Sequence, residues 1–228
     1  MLEPKIRSQL IEAHQELVDQ GKLPSREQLG RYYDIFRERF GPERLTSLDG
    51  EALLEYMHLH GNYDSLVYWL EFKNDEEFPA IFGSIAGGSA LKFGIYRSAT
   101  TGAWMNGTPL HMNEISVDEA VNRARKHRDQ FVHGATVLER FPRNGSDADY
   151  ARLQAEMDRV APDVSNLAWG HKYFSLLYPE LLDDYHNPDY QRFHLIKLLQ
   201  IPPSGNGRYI KAGASSHWPT SWISHSTT

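Results

Sequence analysis

Between Lys5 and Gln20, Ile6, Leu10, Ala13 and Leu17 fall at three- and four-residue steps and Gly21 stops the run, which predicts an amphipathic helix. Ser25, with Glu27 and Gln28 just after it, announces a second helix that carries Leu29, Tyr32, Tyr33 and Phe36 on its apolar side and ends at Gly41. A third is expected from Asp49 to His60, closed by Gly61.

The pattern then changes. Ser65 to Phe72 reads SLVYWLEF, rich in β-branched and aromatic side chains, and predicts a strand. Phe82 to Ser84 and Ala90 to Tyr96 are expected to be further strands around the glycine-rich IAGG, and TTGAW predicts a hairpin leading into a strand near Trp104. A small antiparallel sheet follows.

From Ser116 the helical period returns behind a capping box with Glu119, and Val117, Val121, Ala124, Phe131, Ala135 and Leu138 mark one face as far as Phe141. Pro142 breaks it. Further helices are expected from Ser146 to Val160, from Pro162 through Trp169 and Phe174 to Tyr178, and from Pro188 to Leu199. The fold class read from this pattern is α+β, a small antiparallel sheet flanked by several helices and mainly helical overall. Residues 1–61 form a helical segment, 62–200 an α+β core with a helical carboxy-terminal half, and 201–228, poor in aliphatic residues, a disordered tail.

Composition narrows the function classes. Hydrophobic residues at 40% and charged residues at 24% suit a folded body, and 228 residues allow one large domain or two small ones. A net charge of -6 argues against a surface coated with phosphate-binding charge, so nucleic acid would need a local patch. The absence of cysteine excludes disulfides and thiolate zinc sites, and with no secretory signal pattern at the amino terminus the expected location is a reducing cytoplasm. The longest apolar runs, such as FSLLYPELL, are short and proline-broken, so no membrane partner is expected.

Several residue groups invite chemistry. Gly83, Gly87, Gly88 and Gly94 could cradle an anion, but Ser89 follows the glycines and Lys92 comes later, so a tight turn is the better reading than a phosphate loop. Among 11 histidines, His58, His60, His171, His186 and His194 lack metal-ligand spacing, and surface or capping roles are favoured; no metal and no cofactor is expected. Glu71 and Lys73 would share one face of a strand and, with Asp64, could form a metal-dependent nuclease site, a minor alternative with no complete catalytic motif behind it. Arg123, Arg125, Lys126 and Arg128 form a basic run on the long helix, and a solvated face is weighed against a phosphate-binding patch that would also use Lys92 and Arg97. Of the aromatic residues, Tyr96 and Trp104 beside the hairpin are the candidates to reach a pocket and stack on a base.

Over roughly Gly61 to Gly213, the segments HGNYDSLVYWLEFKND, FGSIAGGSALKFGIYR, APDVSNLAWGHKYFSLLYPELLDDYHNPDYQRFHLIKLL and PPSGNGRYIKAG resemble the region ahead of the ATPase in McrB-type AAA+ proteins of modification-dependent restriction systems. The resemblance implies a front module that recognises DNA, often with a modified base, and works with an AAA+ motor and a partner nuclease. The chain contains no Walker A sequence, and after Gly213 a Ser/Thr/Trp tail stands where more helix and sheet are expected, which implies a shortened or split member. The leading expectation is therefore a noncatalytic DNA-recognition or adaptor module. The alternative is a protein-interaction module that docks on an AAA+ or nuclease subunit through exposed apolar residues between Trp169 and Tyr178.

Overall fold

A computed structural model describes residues 4–73, 84–87, 90–108, 111–197, 207–210 and 212. Helix α1 (Pro4–Asp19) is followed by α2 (Arg26–Phe40), which starts behind Ser25 as expected and is closed there by a capping box: Gln28 N donates to Ser25 Oγ and Ser25 N to Gln28 Oε1. Gly41 then leads directly into a short helix, α3 (Pro42–Thr46), which the pattern reading missed although Pro42 stands at its first turn. Helix α4 (Gly50–His58) closes the amino-terminal group.

The stretch expected to be a strand is helical. α5 (Leu66–Tyr68) runs into a π-helical turn at Trp69–Lys73, and Tyr68 N donates to Ser65 Oγ at the start. Leu66, Val67, Trp69 and Leu70 are all buried, a spacing of one, three and four that a helix places on one side and a strand splits between two. Burial against the core overrode the β-propensity of these residues.

Ala90–Phe93 is a 3₁₀ turn rather than a strand; Gly94, at φ +82, then swings the chain into β1 (Ile95–Arg97). β2 (Trp104–Thr108) and β3 (His111–Ile115) complete an antiparallel sheet of order β1-β2-β3. Its register pairs Tyr96 with Met105 and Met105 with Glu114, so these share one face, while Arg97, Trp104 and Ile115 share the other. The strand expected at Phe82–Ser84 lies largely outside the described residues; Ser84 itself is not in a strand.

Ser116 and Glu119 cap the 23-residue helix α6 (Val117–Glu139), and Ser146 and Asp149 form the same device on α7 (Asp147–Val160). Residues 162–167 are turns, so α8 (Ala168–Leu177) starts later than expected; α9 (Pro188–Lys197) follows. The chain is thus mainly helical, with one small antiparallel sheet among the described residues.

α8 is the centre of the core, packed between α2 and α6. The Trp169 ring receives Phe93, Phe131, His58 and His127 in edge contacts, each centroid within 5.9 Å. Gly134 lets α6 approach this close: a Cβ there would lie 2.4 Å from the Phe174 ring. One buried cluster draws on both sides of Gly61, including Phe36, Phe40 and Leu53 with Phe131, Trp169 and Tyr173. Part of the stretch expected to be a disordered tail also joins it. Arg208–Ile210 is helical, Tyr209 is buried, and Tyr209 N donates to Gln154 Oε1 at 2.9 Å.

Candidate functional site

The basic run on α6 is held inside the protein's own charge network. Arg125 makes two bonds to the Asp49 carboxylate (2.6 and 3.1 Å), and the hydrogen bonds and charge of that guanidinium bring Asp49 down to about 2. Lys126 Nζ lies 2.6 Å from Asp163, whose carboxylate also accepts from Gln130; despite partial burial, these contacts hold Asp163 below its usual range. Arg128 pairs with Asp129 at 2.8 Å and donates to Leu48 O. Arg123 remains exposed, with no carboxylate at ion-pair distance among the described residues.

Lys92 is equally committed. Its Nζ donates to Glu71 Oε1 (2.5 Å) and to the carbonyls of Ile85 and Gly87, fastening the glycine-bearing loop to the π-helical turn. Glu71 Oε2 faces His60 Nε2 at 3.2 Å. Burial works to raise the Glu71 carboxyl, but the hydrogen bonds from His60 and Lys92 and the lysine charge bring it below its ordinary value. The π-helical turn therefore seats Glu71 inward as half of a structural ion pair. Asp64, in contrast, is exposed and pairs with Arg39 at 2.8 Å. The strand face that would have joined Glu71 to Lys73 does not exist, and among the described residues no three His, Asp or Glu side chains form a metal-binding group.

The two stacking candidates fall on opposite faces of the sheet. Trp104 is only 6% exposed and packs inward with Ile95 and Ile115. Tyr96 faces outward beside Met105, and its hydroxyl donates to Met112 Sδ at 3.2 Å. Arg97, exposed at the rim, donates to Gly102 O and stabilises the hairpin turn. The structure thus sets Tyr96 and Arg97 on opposite faces of the sheet, keeps Trp104 in the core, and ties Lys92, Lys126 and Arg128 to partners within the chain.

Four histidines expected or overlooked as surface groups are buried in pairs. His127 Nδ1 stands 3.2 Å from His58 Nε2, and His171 Nδ1 stands 3.0 Å from His186 Nδ1. Desolvation pushes His58 well below its ordinary value, His127 to about 4 and His171 to about 3, so all three are neutral at pH 7. His194 instead stacks on Tyr185, with ring centroids 4.0 Å apart.

The expected interaction surface between Trp169 and Tyr178 is core: every residue of α8 from Trp169 to Leu177 is buried. Exposed apolar area sits on the neighbouring α9, where Tyr190 is 64%, Phe193 53% and Ile196 52% exposed. Their three-residue spacing places them on one face, while Gln191 and Leu195 anchor the opposite face. Gln191 Nε2 reaches both Asp183 oxygens at 3.1 Å, fixing the rotation of the helix. Arg192 and Lys197 flank the stripe, with Lys197 Nζ 5.2 Å from the Phe193 ring. The sequence carried the signal: a proline-started helix reading PDYQRFHLIK has its aromatics three apart, with Gln191 and Leu195 offset from them.

One cavity of about 170 Å³ is lined by Tyr33, Ser175, Asp183 and Asp184, and a wider surface depression of about 570 Å³ is lined by Ile35, Glu38, Arg39, Arg44, Tyr56 and Asp64. No protein-family model, no curated protein and no solved structure matches this chain.

Proposed function

We propose that the chain is a noncatalytic adaptor module that docks a protein partner through the outer face of α9. The observation that carries this reading is the stripe of Tyr190, Phe193 and Ile196, three large side chains more than half exposed on a helix whose other face is fixed to the core. Aromatic anchors at helical spacing fit an apolar groove, and Arg192 and Lys197 beside them favour a groove with an acidic rim. The resemblance to the region ahead of McrB-type ATPases offers the partner class, an AAA+ ring or the nuclease it drives.

A second reading, DNA recognition, keeps Tyr96, Arg97 and Arg123, since Tyr96 stands on the outward face of the sheet and neither arginine has a carboxylate at ion-pair distance among the described residues. It loses three of its five phosphate-binding candidates to internal bonds.

One experiment separates the two. Purified protein is titrated with a McrB-type AAA+ ring from the same source, and separately with methylated and unmethylated duplexes at two salt concentrations. The adaptor reading expects ring binding that weakens at least about tenfold in a Tyr190→Ser, Phe193→Ser, Ile196→Ser variant. Salt-dependent duplex binding that Arg97→Ala and Arg123→Ala abolish, with the α9 variant unaffected, would replace it by the DNA reading.

A further inference from the structure

Residues 207–210 with Ala212 form a strap that touches α7, α8 and α9. Tyr209 N donates to Gln154 Oε1 on α7 at 2.9 Å, the Tyr209 ring lies 5.8 Å from that of His171 on α8, and Gln191 Nε2 on α9 donates to Arg208 O at 3.5 Å. Arg208 in turn donates to the carbonyls of His186 and Asn166. The fit is close at Gly207, where a Cβ would stand 2.2 Å from Gln154 Oε1, the atom that accepts from Tyr209 N.

Docking the strap leaves polar groups unmet. The Tyr209 hydroxyl, His171 Nε2 and Gln191 Oε1 are buried with no hydrogen-bond partner among the described residues, and they belong to the strap and to two of the helices it touches. The half-buried Arg208 guanidinium meets carbonyls but no carboxylate at ion-pair distance among the described residues. Each such group forfeits hydrogen bonds or hydration that it regains in water, so undocking returns part of what it loses in apolar contact.

From this arrangement we infer that the strap is a conformational latch, which undocks while α8 and the rest of the core stay folded and whose docking steadies the outer face of α9. Gln191 is the link. It is the buried polar anchor of α9, and its Nε2 is shared between the Asp183 carboxylate and Arg208 O, so undocking removes one of the bonds that fix the rotation of that helix. That the latch regulates docking rests on the adaptor reading; the undocking and the loosening of α9 do not.

Amide hydrogen exchange of the intact chain, with no partner present, reads the latch directly because the Tyr209 N–H is held by Gln154. Tyr209 should exchange at least about a hundredfold faster than the α8 amides, at a rate insensitive to low urea, whereas exchange in α8 rises with urea. Tyr209→Phe removes an unmet hydroxyl from the docked state and should slow exchange at position 209 about fivefold. Gly207→Ala pushes Gln154 aside and should speed it about tenfold, with the α9 amides following in the same direction. Exchange of Tyr209 in one unit with α8, with the same urea dependence, overturns the inference. So does unchanged or faster exchange in Tyr209→Phe, the sign of a hydroxyl already satisfied by a buried water, or α9 exchange that Gly207→Ala leaves unaltered. None of these readouts uses the AAA+ ring, so their failure is distinct from a failure of ring binding.

Discussion

α8 and α9 are helices of ten residues each, both rich in aromatic side chains, and they have opposite fates. In AWGHKYFSLL the apolar residues surround the axis; Tyr173 Oη donates to Phe40 O and Ser175 Oγ to Lys172 O, while Trp169 Nε1 and His171 Nε2 are buried without a hydrogen-bond partner among the described residues. In PDYQRFHLIK the charged residues mark off an outer arc, while buried Gln191 and Leu195, with His194 stacked on Tyr185, hold the body. Aromatic content alone therefore does not separate core from docking surface. What separates them is whether apolar positions go all the way around the helix or are offset from its anchors.

The comparison is broken most severely at its buried side. Trp169→Ala removes the ring on which two histidines and two phenylalanines converge and should cost about 3–5 kcal/mol, whereas Phe193→Ala on α9 should cost less than about 1 kcal/mol; urea unfolding of both variants checks the contrast. Lys92→Met comes next. It leaves the Glu71 carboxylate in the π-helical turn with the His60 contact but without its ammonium partner, at a cost of about 3 kcal/mol, and adding Glu71→Gln should recover a large part of that loss; a double-mutant cycle measures it.

Acid acts on the same core. His127, held at about 4, binds its proton more weakly in the folded chain than in the unfolded one, so its contribution is complete above about pH 6.5 and is lost as pH falls toward 4. For His127 alone this amounts to about 3 kcal/mol, and His58 and His171 shift in the same direction. Stability measured between pH 7 and pH 4 should fall steeply, and His127→Gln should flatten that fall. The smallest structural effect belongs to the docking face: the Tyr190→Ser, Phe193→Ser, Ile196→Ser variant should unfold within about 1 kcal/mol of wild type while losing its partner.

Much of the fold was legible where local signals were complete. The start signals at Ser25 and Ser146, the capping box of Ser116 with Glu119 and the glycine at Gly41 placed α2, α6 and α7 to within a residue or two. The stretch Ser65 to Lys73 was misread because its β-branched and aromatic residues were weighed one by one, while their burial at Leu66, Val67, Trp69 and Leu70 follows a helical spacing. The candidate site was less legible still. Lys92 with Glu71, Lys126 with Asp163 and Arg125 with Asp49 are joined across 21, 37 and 76 positions, so a charge run that looked available for phosphate is neutralised by carboxylates remote in sequence. The α9 stripe was visible in its three-residue spacing, but the adjacent α8 drew the docking reading because it is the more apolar of the two.

The measurement that bears most directly on the adaptor reading is hydrogen exchange of the protein with and without the McrB-type AAA+ ring. The account predicts new protection across Pro188–Lys197 and no change in α8, already buried before the partner arrives. Protection on α6 or on the outward face of the sheet, with α9 unaltered, would contradict it.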